Sequence, residues 1–235
     1  MGSVYSFADI NIGIESVFPY VHEYCSDYVT GMPADFSVKT DMTDILFERS
    51  RAENQSASDP YLETLAVYRK IAEKLPEYDA FLFHGSAVAA EGAAYIFTAK
   101  SGTGKSTHTA LWCEMLGDKA QVINDDKPII RLRSDGTAYV YGTPWNGKHR
   151  LSVNSSAPVR AICIIDRSPE NSIYHISREQ ALPVLIQQMY RPSDPSALKK
   201  SLELIANMNV EFYHLFCNME TDAAELSFNT MRKMG

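Results

Sequence analysis

The stretch Ala99-Lys100-Ser101-Gly102-Thr103-Gly104-Lys105-Ser106-Thr107 constrains this chain more than any other. It lies between a short apolar run, Tyr95-Ile96-Phe97-Thr98, and a run of helical character from Thr107 to Leu116. The order is strand, glycine-rich loop, helix. The loop follows the G-x-x-x-x-G-K-[ST] pattern, with Ala99 in place of the first glycine. Small residues let the backbone fold tightly, so that several N–H groups point at one anion. The helix that begins there adds the positive end of its dipole. Lys105 is placed to reach the outer phosphates of a nucleotide, and the Ser106 hydroxyl to ligate Mg2+. Ser101, Gly102, Thr103, Gly104 and Thr107 complete the expected cradle. ATP and Mg2+ are the expected cofactors, although the pattern does not itself choose between ATP and GTP.

Composition narrows the setting. The 235 residues are 45% hydrophobic and 22% charged, which suits a large α/β domain carrying a small N-terminal layer. There is no run of eighteen apolar residues and no basic-then-apolar start, so neither a membrane span nor a signal peptide is expected. A net charge of −7 without a basic run argues against nucleic acid and anionic membranes as partners. The four cysteines are dispersed, with no C-x-x-C, and fit reduced thiols in a cytoplasm. A homo-oligomer is left open.

Residues 1–55 read as a β-rich layer, with alternation from Ile10 to Ile14 and a short strand near Phe36–Thr40; residues 56–235 read as the main domain. Residues 50–59 are polar and read as a loop. A helix is expected from Asp59 as cap and Pro60 at its first position, stopping at Pro76. Its stripe Tyr61, Leu65, Tyr68, Ala72 and Leu75 reads as core. Apolar runs at 80–83, 87–90 and 94–98 are strands, the last two forming a hairpin through Glu91-Gly92. Strands are also expected at 120–124, 128–133, 137–141, 159–166 and 210–216. Helices follow at 177–189 with a Ser177-x-x-Gln180 capping box, at 194–205 and at 221–231.

Asp125-Asp126 ends the strand that follows the loop's helix. Two adjacent carboxylates, about twenty residues past the lysine, suit phosphoryl transfer: one holds the metal, and the other accepts the proton of an attacking hydroxyl. Bound Mg2+ would relieve their mutual repulsion. His84, leaving an apolar run into Gly85, is either a site residue or a satisfied structural histidine. The loop Gly142 to Arg150 carries Trp145 and Lys148; Lys148 could neutralise charge on the transferred group, or the loop could be a surface hairpin with a packed tryptophan. Arg191 suits a helix C-terminus and could also meet an anion.

With these residues, the chain resembles the C-terminal domain of HPr kinase/phosphorylase. More broadly it resembles the P-loop-containing fold that kinase shares with ATP-dependent phosphoenolpyruvate carboxykinase. The resemblance rests on His84-Gly85, Ser101–Ser106 and Asp125-Asp126, and covers roughly residues 80–166. It implies a mixed sheet with flanking helices, and phosphorylation of a serine-type hydroxyl on a protein, a precursor peptide or a small molecule. It also implies Asp125 as base, Asp126 as metal-side acid and His84 in support. The glycine-rich signature that HPr kinase carries after its Asp pair is not found here. Alternatives are HPr kinase/phosphorylase proper, a simple NTPase, or a nucleotide-binding regulator without turnover.

Overall fold

The computed structural model describes residues 2–52, 56–147 and 150–233. Strands β1 (Ser3–Phe7) and β2 (Ile10–Glu15) form a hairpin, and β3 (Phe36–Lys39) adds in parallel to β2. Between them lies a short helix, α1 (Tyr20–Tyr24). Helix α2 (Met42–Arg51) corrects the reading of residues 50–59 as a loop that begins at Ser50. Its cap is Asp41, whose carboxylate accepts from the Thr43 and Asp44 amides, while Asp44 reaches back to the Asp41 amide. Its larger apolar side chains, Met42, Leu46 and Phe47, are exposed, so the helix has no apolar stripe to advertise it.

In helix α3 (Asp59–Lys74) the N-cap position is held by Ser58, not Asp59, without a side-chain cap hydrogen bond, and Pro60 lies in the first turn. Asp59 instead pairs with Arg49 of α2. The apolar stripe expected to be core is only partly so. Tyr68, Ala72 and Leu75 are buried, but Tyr61 is 41% exposed.

The remaining strands are β4 (Ala80–Leu82), β5 (Ser86–Ala90), β6 (Ala93–Thr98), β7 (Ala120–Asn124), β8 (Ile129–Leu132), β9 (Ala138–Tyr141), β10 (Ser156–Arg167), β11 (Ser172–Ile176) and β12 (Glu211–Cys217). They form one mixed sheet in the order β4-β8-β9-β10-β6-β5-β7, with β12 joining β10 and β11 joining β12. The long strand β10 spans two pairings. Its start runs antiparallel to β9, and its end lies parallel between β6 and β12. The β5–β6 turn holds Glu91 and Gly92 at φ 51° and 80°, the paired left-handed geometry that a two-residue hairpin needs. Strand β11, a half-exposed edge, is absent from the sequence reading.

Helices α4 (Lys105–Leu116) and α7 (Thr221–Met231) cover one face of the sheet, and α5 (Arg178–Gln188) and α6 (Pro195–Asn207) the other. The capping box at Ser177 and Gln180 is formed as expected. A third apolar cluster joins the N-terminal sheet to α3 and the β4–β8–β9 end of the large sheet, through Phe7, Ile12, Tyr68, Ile129 and Trp145. The mixed α/β sheet with flanking helices agrees with the expected fold class. Among the described residues, no helix is long and apolar enough to cross a membrane.

One polar group in the α4–α7 core makes stability depend on pH. Ser227 donates to the Ala224 carbonyl and accepts from the Trp112 indole N–H, so His108 must donate to it from Nε2 at 2.9 Å. Nδ1 of His108 is then a buried acceptor without a partner. Burial pushes His108 down to about 4 from 6.5. The folded-state value lies below the unfolded one, so this contribution is whole above pH 6.5 and lost as pH falls toward 4. The loss should reach about 3 kcal/mol. Urea midpoints for the native chain and H108Q across that window check this: the native chain should fall further by that amount, and parallel curves would refute it.

Candidate active site

The glycine-rich loop joins β6 to α4, the two elements that its flanking sequence requires. Gly102 and Gly104 sit at φ 77° and 124°, conformations that L side chains rarely adopt. No atom lies within 4 Å of where a Cβ would stand at either glycine, so the loop presents bare backbone to an open space. Lys105 is the first residue of α4, nearly buried, and its ammonium donates to the Ala99 carbonyl at 3.1 Å across the loop. Burial holds that ammonium below the ordinary lysine value; the Asp126 carboxylate opposes the shift.

The loop opens on a cleft of about 810 Å³. Ser101, Gly102, Gly104, Lys105, Ser106 and Thr107 line it together with His84, Asp125 and Asp126. Of the expected loop and acid residues, all but Thr103 belong to this lining. Lys148 lies outside the described residues, and Arg191 does not line the cleft.

Strand β7 delivers the acids. Asp125 is 3% exposed and accepts from the Gly147 N–H at 2.7 Å. A Cβ on Gly147 would stand 3.2 Å from both carboxylate oxygens, so a glycine is what permits this approach. Asp126 is more open. It forms an ion pair with Lys127 and lies 3.5 Å from Nε2 of His84. The other ring nitrogen of His84 meets Oε1 of Gln188 at 2.6 Å. Burial, then the Lys105 charge, lowers the His84 value from the ordinary 6.5, which favours the uncharged ring, while Gln188 and Asp126 oppose the shift. The histidine expected in support of the acids is thus beside Asp126, not Asp125.

Several site residues were not legible in advance. Asn124 is fully buried and ties the acidic turn together. Its Nδ2 donates to the Thr143 carbonyl and hydroxyl oxygens, and its Oδ1 accepts from the Asp126 and Lys127 amides at 2.9 and 2.7 Å. A buried amide this fully engaged fixes the backbone that aims the acids. Lys127 places a cation in the cleft two residues past Asp125. Arg167, at the end of β10, donates to the Thr103 and Gly102 carbonyls at 2.9 and 2.5 Å and braces the loop. Trp145, in the loop read either as a substrate or nucleotide loop or as a surface hairpin with a packed tryptophan, is buried and also lines the cleft. It stacks on Tyr68 at 4.0 Å, and its indole N–H donates to Thr64.

No protein-family model matches the chain, and no curated protein matches it. Among solved structures, it is similar to the HPr(Ser) kinase/phosphatase from Coxiella burnetii. The identity is 14% and the TM-score 0.38, over 63% of this chain and 89% of that one. A likeness at that level is a distant one of fold and does not reach shared chemistry.

The residues present suit a nucleoside triphosphate with Mg2+. The open loop backbone and the α4 N-terminus suit phosphate oxygens. The Ser106 hydroxyl and the Asp126 carboxylate are hard oxygen donors of the kind Mg2+ takes alongside phosphate and water. Among the described residues, no group of three or more His, Cys, Asp or Glu forms a self-contained metal cage.

Proposed function

We propose that this chain is an ATP- and Mg2+-dependent kinase that transfers the γ-phosphoryl group to a serine-type hydroxyl. One observation carries the reading. A buried carboxylate, Asp125, held by a backbone N–H, shares a cleft with a lysine-bearing glycine loop at a helix N-terminus. A site that only binds phosphate has no use for a buried base; phosphoryl transfer to a hydroxyl does.

The loop amides, the α4 dipole and Lys105 would hold the β- and γ-phosphates. Ser106 and Asp126 would hold Mg2+, whose charge screens the phosphate oxygens. Asp126 is assigned to the metal side because its carboxylate acts on Lys105, whereas Asp125 sits under the Asn146-Gly147 turn. In the transfer, the acceptor oxygen bonds to the γ-phosphorus and the bond to the bridging β,γ-oxygen breaks. The hydroxyl proton passes to Asp125, and ADP leaves with the electron pair. Lys127 would meet the charge spreading over the transferred group, the role foreseen for Lys148. His84 would stand beside the metal-side acid, its Nδ1–H donating to Gln188 and its Nε2 facing Asp126.

Calorimetric titration with ATP, with Mg2+ and then with excess chelator, tests the first half of this. Saturable one-to-one binding strengthened by Mg2+ is expected; no binding under either condition would end the proposal.

A further inference from the structure

The cleft has a second wall, and it comes from the N-terminal layer and α3. Tyr20 and Tyr24 of α1 and Tyr61 and Leu65 of α3 line it, with Arg150 at its end. Tyr24 lies edge-on to Trp145 at 6.0 Å and beside Tyr20 at 5.9 Å. Trp145 in turn begins the turn whose Gly147 holds Asp125. This wall is therefore continuous with the base. Arg167 and Met219 line the cleft beside the loop: Arg167 donates to the Thr103 and Gly102 carbonyls, and Met219 shares a small neighbouring pocket with Thr103, Gly104 and Thr107.

In-line transfer puts the attacking and leaving oxygens on opposite sides of phosphorus. The base must lie on the attacking side. The tyrosine wall is the one tied through Trp145 and Gly147 to Asp125, so an acceptor on the attacking side lies along it. We infer that Tyr20, Tyr24, Tyr61 and Leu65 form an acceptor subsite for a polypeptide segment whose serine is flanked by aromatic or branched apolar side chains.

The chemistry of the wall selects that class. Three phenol rings and a leucine offer apolar area with hydroxyl tips, which a flanking aromatic or aliphatic side chain covers. Free serine has no apolar body to place there. Tyr61 is 41% exposed, so the apolar wall is open to solvent at its outer part, where residues flanking a serine can reach it.

The inference rests on the kinase reading, and its test separates the two. The full chain with ATP and Mg2+ is offered N-acetyl-Phe-Ser-Phe-amide, N-acetyl-Gly-Ser-Gly-amide and free serine, with ATP affinity measured in parallel. The phenylalanine-flanked peptide should be used at least ~10-fold better in kcat/KM than the other two, the scale of one apolar side chain in a pocket. Y20A and Y61A, which change exposed or half-exposed positions, should shrink that preference to about threefold or less through KM, with ATP affinity unchanged. Equal use of all three acceptors overturns the subsite alone, and ATP binding without transfer to any of them overturns the kinase reading and the subsite together. If Y61A weakens ATP instead, the wall belongs to the nucleoside. If the native chain binds no ATP, both the subsite and the kinase reading fall.

Discussion

Replacing Asp125 by asparagine is expected to cut phosphoryl transfer by 10²–10⁴-fold, the usual worth of a positioned general base, while ATP affinity stays within about twofold. The amide oxygen can still accept from Gly147 N–H, as the carboxylate does at 2.7 Å, so the turn keeps its shape. What is lost is the group that takes the hydroxyl proton. The effect should appear in kcat and not in the binding of nucleotide. Steady-state rates with a serine peptide, set beside calorimetric affinities, check this. An equal fall in affinity would mean that Asp125, not Asp126, is the metal-side acid.

The second large effect belongs to Lys105. K105M keeps an unbranched side chain one atom shorter and removes its charge. Charge-assisted hydrogen bonds are worth about 1.5–3 kcal/mol, so ATP affinity should weaken roughly 10–100-fold. A further 10²–10³-fold should come off the rate, because the same ammonium faces charge that develops in the transition state. The fold should not suffer. The ammonium is nearly buried with one carbonyl partner, and burial already lowers its proton affinity, so methionine removes a desolvated charge rather than a stabilising one. Unchanged thermal unfolding together with lost affinity is the expected pair of results. Retained affinity would show that the loop is not the phosphate site.

The parts of this molecule that were legible in the sequence are those encoded over a few neighbouring residues. The glycine loop, the Glu91-Gly92 hairpin, the Ser177–Gln180 cap and the Asp pair after β7 are each local signals, and each lies where its spacing put it. Helix α2 escaped because it buries only Ile45 and turns Met42, Leu46 and Phe47 outward. Strand β11 escaped because it is an edge strand with no buried residue and no alternation to mark it. The other parts of the site depend on long-range apposition. Asn124 gains its meaning from Thr143, nineteen positions away. Arg167 braces carbonyls sixty-four and sixty-five positions upstream. The tyrosine wall joins residues of the first helix to residues near 61 and 150. Tyr61 was legible as helical and apolar, but nothing local distinguishes an apolar residue that faces a core from one that faces a cleft.

The most direct test of the central claim is the fate of the γ-phosphoryl group. The chain would be incubated with γ-labelled ATP, Mg2+ and an apolar-flanked serine peptide, and the label recovered after acid quench. The account predicts label in phosphoserine, dependent on Mg2+ and reduced at least 10²-fold by D125N. Label released only as orthophosphate would make the protein a hydrolase, and label left entirely in bound ATP would make it a nucleotide sensor; either result contradicts the assignment of Asp125 as the base for an acceptor hydroxyl.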